Sequence, residues 1–149
     1  MLTMFPHTVT VYVITEDPLT LLPTPDITVL RGVLLDAKKG ANVVNSGLEG
    51  ADAVTLYIPF DVTAVDGLTD LPKTWLPPRA WEQEADRAPY WTLDTGSLDS
   101  AVCFFVKGEE VLPNMTFQQI NLRRDGVYTV TSVDIKDFGG LQHLEVGGR

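Results

Sequence analysis

Twenty Asp and Glu stand against eleven Lys and Arg in 149 residues, a formal charge of −9, in a chain that is 44% hydrophobic and 21% charged. That balance describes a folded domain and argues against a disordered tail. It also argues against a protein that grips DNA by its phosphates, because counterion release by clustered cations supplies most of that affinity. The only cationic doublets are Lys38-Lys39 and Arg123-Arg124. No apolar run approaches the ~20 residues of a membrane-spanning helix. Met1–Phe5 lacks the basic and apolar regions of a signal peptide, so a soluble product is expected, with no membrane partner. The single cysteine, Cys103, lies in the apolar run Ala101–Val106 and is expected to be a buried, inert thiol.

The first predicted strand is Thr8–Ile14, where Val9, Val11 and Val13 alternate with Thr8, Thr10 and Tyr12. Glu16-Asp17-Pro18 stops it, and Pro23 and Pro25 are expected to keep the next stretch extended and unpaired. A second strand is predicted over Ile27–Leu35, with Gly32 as a bulge or close-approach point. Asp36–Asp52 is rich in Gly, Asn and charge and reads as a long exposed loop with room for one short strand at Asn42–Asn45. Ala53–Phe60 is the third strand, with Pro59 marking an edge-like end.

Asp61–Pro78 holds three prolines and little periodicity, and is expected to be irregular. Arg79–Arg87 has the composition of a short helical turn, and Trp91-Thr92-Leu93 that of a short strand. Ala101–Lys107 is a strand closed by Gly108. Asn114–Arg124 is the better helix, with Phe117 and Ile120 on one face. Val127–Val133 alternates, Phe138-Gly139-Gly140 turns, and Leu141–Val146 returns as a hairpin. Strands joined by long Gly/Pro connections, without a βαβ rhythm, predict a mainly β fold. The expectation is one small barrel or sandwich over residues 1–149, with long loops and at most one or two short helices. Val9, Val11, Val13, Val130 and Leu144 should be buried, since a one-residue slip would expose them.

The chemistry-bearing motifs are sparse. There is no phosphate-binding loop, no Gly-x-Gly-x-x-Gly, no Gly-x-Ser-x-Gly elbow and no His-Glu-x-x-His. One Cys and two His give no zinc framework, and no cofactor is expected. Asp134, Asp137, His143 and Glu145 are the one cluster a hairpin could gather for metal or acid–base work. Asp134 and Asp137 are three apart and fall on opposite faces of a regular strand, so solvated or turn-capping roles fit them better. Trp75, Trp81 and Trp91 would either anchor the irregular middle to the barrel, the favoured reading, or line a ligand groove. Glu82, Glu84 and Asp86 read as a solvated acidic edge. Arg31 is expected to pair with a carboxylate of this chain or of another subunit.

Beyond these residue-level readings, Met4–Tyr12, the block Leu30–Val43 continuing through Ser46-Gly47-Leu48 and Ala51-Asp52, and Val130–Asp134 with Asp137-Phe138-Gly139 and Leu141–Gly148 resemble a family of small proteins from siphophages and prophages of Gram-positive bacteria. A Trp is expected where Leu144 stands, and Asp61–Ser100 matches least. The family is labelled minor capsid or head–tail joining protein. The resemblance implies a non-enzymatic virion protein of the neck, made in the host cytoplasm and similar to head-completion (stopper) proteins. Such a subunit forms a ring with copies of itself, meets portal or adaptor and tail proteins, and lets duplex DNA pass nearby without specific binding. A tail terminator or another minor capsid or tail protein is the alternative. A β-barrel ligand-binding module and a metal-dependent hydrolase rank below it. For a ring, a loop as long as Asp36–Asp52 points to contacts through Lys38, Lys39, Val43, Val44 and Leu48. A heterologous interface places the complementary patch elsewhere on the chain, here expected at Glu82, Glu84 and Asp86.

Overall fold

The structure, a computed structural model, describes residues 4–17, 19–37, 53–95, 102–137, 139 and 142–149. Alternating β-branched residues give β1 (His7–Glu16), and Asp17 ends it by accepting the N–H groups of Leu19 and Thr20 on its Oδ1. β2 (Pro23–Ala37) returns antiparallel along β1. Pro23 and Pro25 are extended, as expected, but they are paired, opposite Glu16 and Ile14. A proline removes one donor from a ladder without forbidding extended register, so a strand of two well-patterned partners absorbs it at its end.

The register between β1 and β2 steps from Thr8↔Arg31 to His7↔Val33, leaving Gly32 as the extra residue of a bulge at φ +93°. Few residues other than glycine tolerate that angle. The kink lets one long strand serve two neighbours. Thr28–Arg31 pair with β4 (Thr63–Asp66), whereas Leu34–Ala37 pair with β3 (Val54–Pro59). After β4 come a two-residue parallel pair, β5 (Thr74–Trp75) and β6 (Tyr90–Trp91), with α1 (Pro78–Gln83) between them. β7 (Val102–Lys107), α2 (Phe117–Arg123), β8 (Val127–Lys136) and β9 (His143–Gly148) complete the order. The sheet runs β1-β7-β8-β9-β3-β2, and the β1–β2 pairing closes it into a six-stranded antiparallel barrel with β4 added on β2. Closure removes the open edges that an antiparallel sheet of this size would otherwise expose.

Several expectations change here. Asp61–Pro78 contains β4 and β5, whereas the short helical turn expected within Arg79–Arg87 is present as α1, which starts at Pro78 and stops at Gln83, where Glu84 turns extended. The second helix is shorter than Asn114–Arg124 because Thr116 caps it: its hydroxyl accepts from Gln119 N–H while the Gln119 side chain accepts from Thr116 N–H. Trp91-Thr92-Leu93 shortens to Tyr90–Trp91 as strand. The strand expected at Asn42–Asn45 lies outside the described residues.

Val9, Val11, Val13, Val130 and Leu144 are all buried, packed in the lumen with Leu30, Leu56, Ile58, Phe105 and Val146. The opposite face of β1 is buried too. Tyr12 stacks on Phe104 at 4.6 Å, and Phe104 meets Phe117 of α2 edge-on at 4.9 Å, forming a second core with Ile27, Val106 and Ile120 outside the barrel. The polar atoms on that face are satisfied by the chain that crosses it. Thr10 Oγ1 donates to Gly108 O (2.7 Å) and accepts Glu110 N–H (2.8 Å); Tyr12 Oη donates to Glu110 O and accepts Leu112 N–H.

Candidate functional site

Residues 67–95 form an insertion at the end of the barrel where β3 finishes and β9 begins. Trp81, Trp91 and Leu93 from this insertion are buried in the main core, so the tryptophans do anchor the middle of the chain. Arg87 holds Trp81 in place: its guanidinium carbon sits 4.2 Å from the ring centroid, and it donates to the carbonyls of Trp81 (3.1 Å) and Glu82 (2.8 Å). Beside them Trp75 meets Trp91 edge-on at 4.9 Å, and a cavity of about 360 Å³ opens between these rings and Ile58, Phe60, Lys73 and Leu144. That volume lies within the range of small-ligand pockets, and barrel mouths are a common place for them.

Among the described residues the most heavily buried charge lies at the root of the insertion. The side chain of Lys73 is fully shielded from solvent. Its Nζ donates to Asp26, lies 3.1 Å from Asp66 Oδ1 and 3.1 Å from Thr28 Oγ1, and reaches the Ile27 carbonyl at 3.5 Å. One ammonium therefore ties β2, β4 and the insertion together. Burial pushes the Asp26 carboxyl above its ordinary value, against the opposing pull of Lys73. Burial acts on Asp66 in the same direction, but the N–H groups of Thr69 and Leu68 together with Lys73 outweigh it and hold this carboxyl below its ordinary value. Neither Lys73 nor its two carboxylates stand out in the sequence. Partners 47 residues apart leave no local pattern, and only an aspartate at the head of an apolar strand, Asp26-Ile27, hints at a buried counter-charge.

The residues singled out by pattern are dispersed. Asp134 lies opposite Glu145 across the β8–β9 ladder, Asp137 accepts from Gln142 Nε2 at 2.7 Å, and His143 Nε2 is 3.1 Å from Glu145 Oε1 on its own strand. Among the described residues no group of three or more His, Cys, Asp or Glu is placed to hold a metal ion. Cys103 is buried, and loss of solvation pushes its thiol up to about 11, which disfavours the nucleophilic thiolate. Arg31 pairs within the chain, 2.7 Å from Glu109 and 4.0 Å from Asp70. Among the described residues three buried polar atoms lack a hydrogen-bond partner, Trp81 Nε1, Thr92 Oγ1 and Asp94 Oδ2, all in or next to the insertion.

Of the expected interface residues, Glu84 and Asp86 are exposed and Glu82 is half-buried, on α1 and just after it. Asp86 also accepts Ala88 N–H. Lys38, Lys39, Val43, Val44 and Leu48 lie outside the described residues. The strand ends that flank them, Ala37 and Val54, pair with each other beside Gly148, whereas Pro59 pairs with His143 at the end that carries the insertion. The two expected patches thus attach at opposite ends of the barrel wall. No helix among the described residues is long and apolar enough to cross a membrane.

These features define a mainly β protein, a closed six-stranded barrel with a tryptophan-anchored insertion at one end. Its residues 4–149 match the model of a family of unknown function, DUF6751, and the chain belongs to that family. No curated protein and no solved structure matches it.

Proposed function

We propose that the protein is a structural component of a phage neck, a head-completion ring subunit that retains packaged DNA and docks the tail. Its partners on this reading are further copies of the chain, portal or adaptor proteins, and tail proteins. The observation that carries it is a barrel closed on itself and filled by side chains, on a chain of net charge −9. Such a unit is a rigid wall element, and a wall of negative charge leaves DNA free to slide past without sticking. The attachment of the 38–52 segment and of Glu82–Asp86 at opposite ends of the barrel wall suits a head-to-tail contact, the kind that closes rings. The resemblance of both chain ends to head–tail joining proteins supports the same reading.

Cryo-EM of the neck of the parent virion tests it. A ring of this barrel between portal and tail is expected. Particles that fill with DNA, join tails and infect normally after deletion of the gene would refute it.

One observation favours a second reading, a barrel that binds a small apolar ligand: the cavity between Trp75 and Trp91. That reading predicts quenching of tryptophan fluorescence by a planar aromatic probe, abolished in Trp75→Ala.

A further inference from the structure

Three exposed leucines cluster at the β1–β2 turn, away from the insertion and the buried Lys73. Leu19, Leu21 and Leu22 are 92%, 67% and 64% exposed, so three leucines in four positions face solvent. Five hydrogen bonds hold this turn. Asp17 Oδ1 accepts Leu19 and Thr20 N–H, the Asp17 carbonyl accepts Leu21 N–H, the Leu22 carbonyl accepts Asp17 N–H, and Thr20 Oγ1 accepts Leu22 N–H. Leu21 sits at φ +59°, a conformation that a leucine rarely adopts and that costs about 1–3 kcal/mol. A turn that needed only to reverse the chain would use Gly or Asn at that position. An ordered apolar knob held at this cost implies a contact surface.

Directly beside the knob is a groove of about 440 Å³, walled by Ile14, Leu22, Pro25, Val102, Met115 and Phe117. Leu22 belongs to both the knob and the groove wall. The remaining polar lining, Asn114, Thr116 and Gln118, is uncharged, and among the described residues no Lys, Arg, Asp or Glu lines the groove. The knob itself is flanked by Glu16 and Asp17, with no cation between residues 8 and 30.

We propose that this face is a two-fold interface between two copies of the chain, in which Leu19 and Leu21 of each copy seat in the groove of the other. Two features argue for a second copy over other occupants. Knob and groove share a wall, so one two-fold axis between them satisfies both contacts at once and closes the assembly at a dimer. The charges agree as well: the carboxylates of Glu16 and Asp17 would meet neutral amides and hydroxyls that can donate to them, while the same carboxylates repel an anionic lipid surface. This contact is isologous and uses neither the 38–52 segment nor Glu82–Asp86. It therefore stands or falls separately from a ring, which needs a heterologous face.

Sedimentation velocity of the full chain across a concentration series tests the proposal. A monomer–dimer equilibrium is expected, with the dissociation constant raised at least about a hundredfold by Leu19→Ser/Leu21→Ser, given the transfer value of two leucines. Thermal unfolding of that variant should be unchanged under conditions where both proteins are monomeric, because the two side chains make little contact with the rest of the fold. Met115→Lys, in the groove, is a second route to the same monomer. An equimolar mixture of the knob and groove variants should recover part of the dimer, since one of the two contacts is then intact. A wild-type chain that stays monomeric at every concentration overturns the proposal. So does a dimer or larger species that survives the leucine changes, or co-flotation with phosphatidylcholine vesicles without self-association.

Discussion

Replacing Lys73 with Met removes the ammonium that sits between Asp26 and Asp66 while keeping the bulk of its stem. The side chain of Lys73 is wholly buried, and those of Asp26 and Asp66 are 19% and 21% exposed, so the two stranded carboxylates can recover only part of their hydration. Breaking a buried charge pair by deleting one partner costs about 3–5 kcal/mol. The residual exposure of the carboxylates puts the expected loss near the lower figure, about 3 kcal/mol. In a chain of this length that lowers Tm by roughly 6–12 °C, a large share of a typical stability of about 5–15 kcal/mol. Urea unfolding followed by tryptophan emission reads it directly, because Trp75, Trp81 and Trp91 all lie in the insertion that Lys73 tethers. Adding Asp26→Asn to Lys73→Met should restore part of the loss by removing one stranded charge. A loss under about 1 kcal/mol, or a double variant no more stable than the single one, would refute the argument that this ammonium compensates the two carboxylates.

The same triad sets a pH signature. Asp26 keeps its proton to higher pH in the folded chain than in the unfolded one, so the native state binds more protons and this group's contribution falls as pH rises through a window above the ordinary carboxyl value of 3.8. Asp66 does the reverse: its contribution is present above 3.8 and is lost as pH falls through its lower folded value. Stability measured from pH 6 downward should therefore gain from Asp26 before it collapses with Asp66. Asp26→Asn should abolish the gain, and Asp66→Asn should flatten the collapse.

Four further outcomes are expected. Cys103 should resist iodoacetamide at pH 8 in the folded chain and react on unfolding, since its thiol is buried and pushed up to about 11; stoichiometric native labelling would contradict this. Thr116→Ala should cost about 1 kcal/mol through loss of the α2 cap, read by urea denaturation, with Thr116→Ser close to neutral. Gly148→Ala should cost about 1–3 kcal/mol, because a Cβ there would lie 2.7 Å from Phe105 Cζ and 3.0 Å from Tyr128 Cβ in a packed lumen; unchanged thermal melting would disprove it. Fluorescence anisotropy should detect no salt-dependent complex with duplex DNA at physiological ionic strength, as expected for a net charge of −9.

What the sequence determined by itself is local and periodic. Alternation in Thr8–Ile14 and Val127–Val133 placed Val9, Val11, Val13 and Val130 inside, because a strand sends neighbours to opposite faces and a slip of one residue is costly. Gly32 marked a bulge because its missing Cβ permits the angle a bulge needs. The tertiary structure decided everything that depends on partners far along the chain. Closure of the barrel rests on β1 finding both β2 and β7, and burial of Thr10 and Tyr12 depends on the 108–116 segment and α2 folding over a face that alternation alone would leave in solvent. Lys73 was invisible as a core residue because a lysine in a Pro-rich stretch is ordinarily exposed. It is buried here because β2 and β4 converge to bring it carboxylates from 7 and 47 residues away. The outward placement of Leu19, Leu21 and Leu22 has a local cause by contrast, the turn hydrogen bonds of Asp17 and Thr20 to N–H groups two and three residues on, but that these side chains stay uncovered by the rest of the chain was decided only by the tertiary structure.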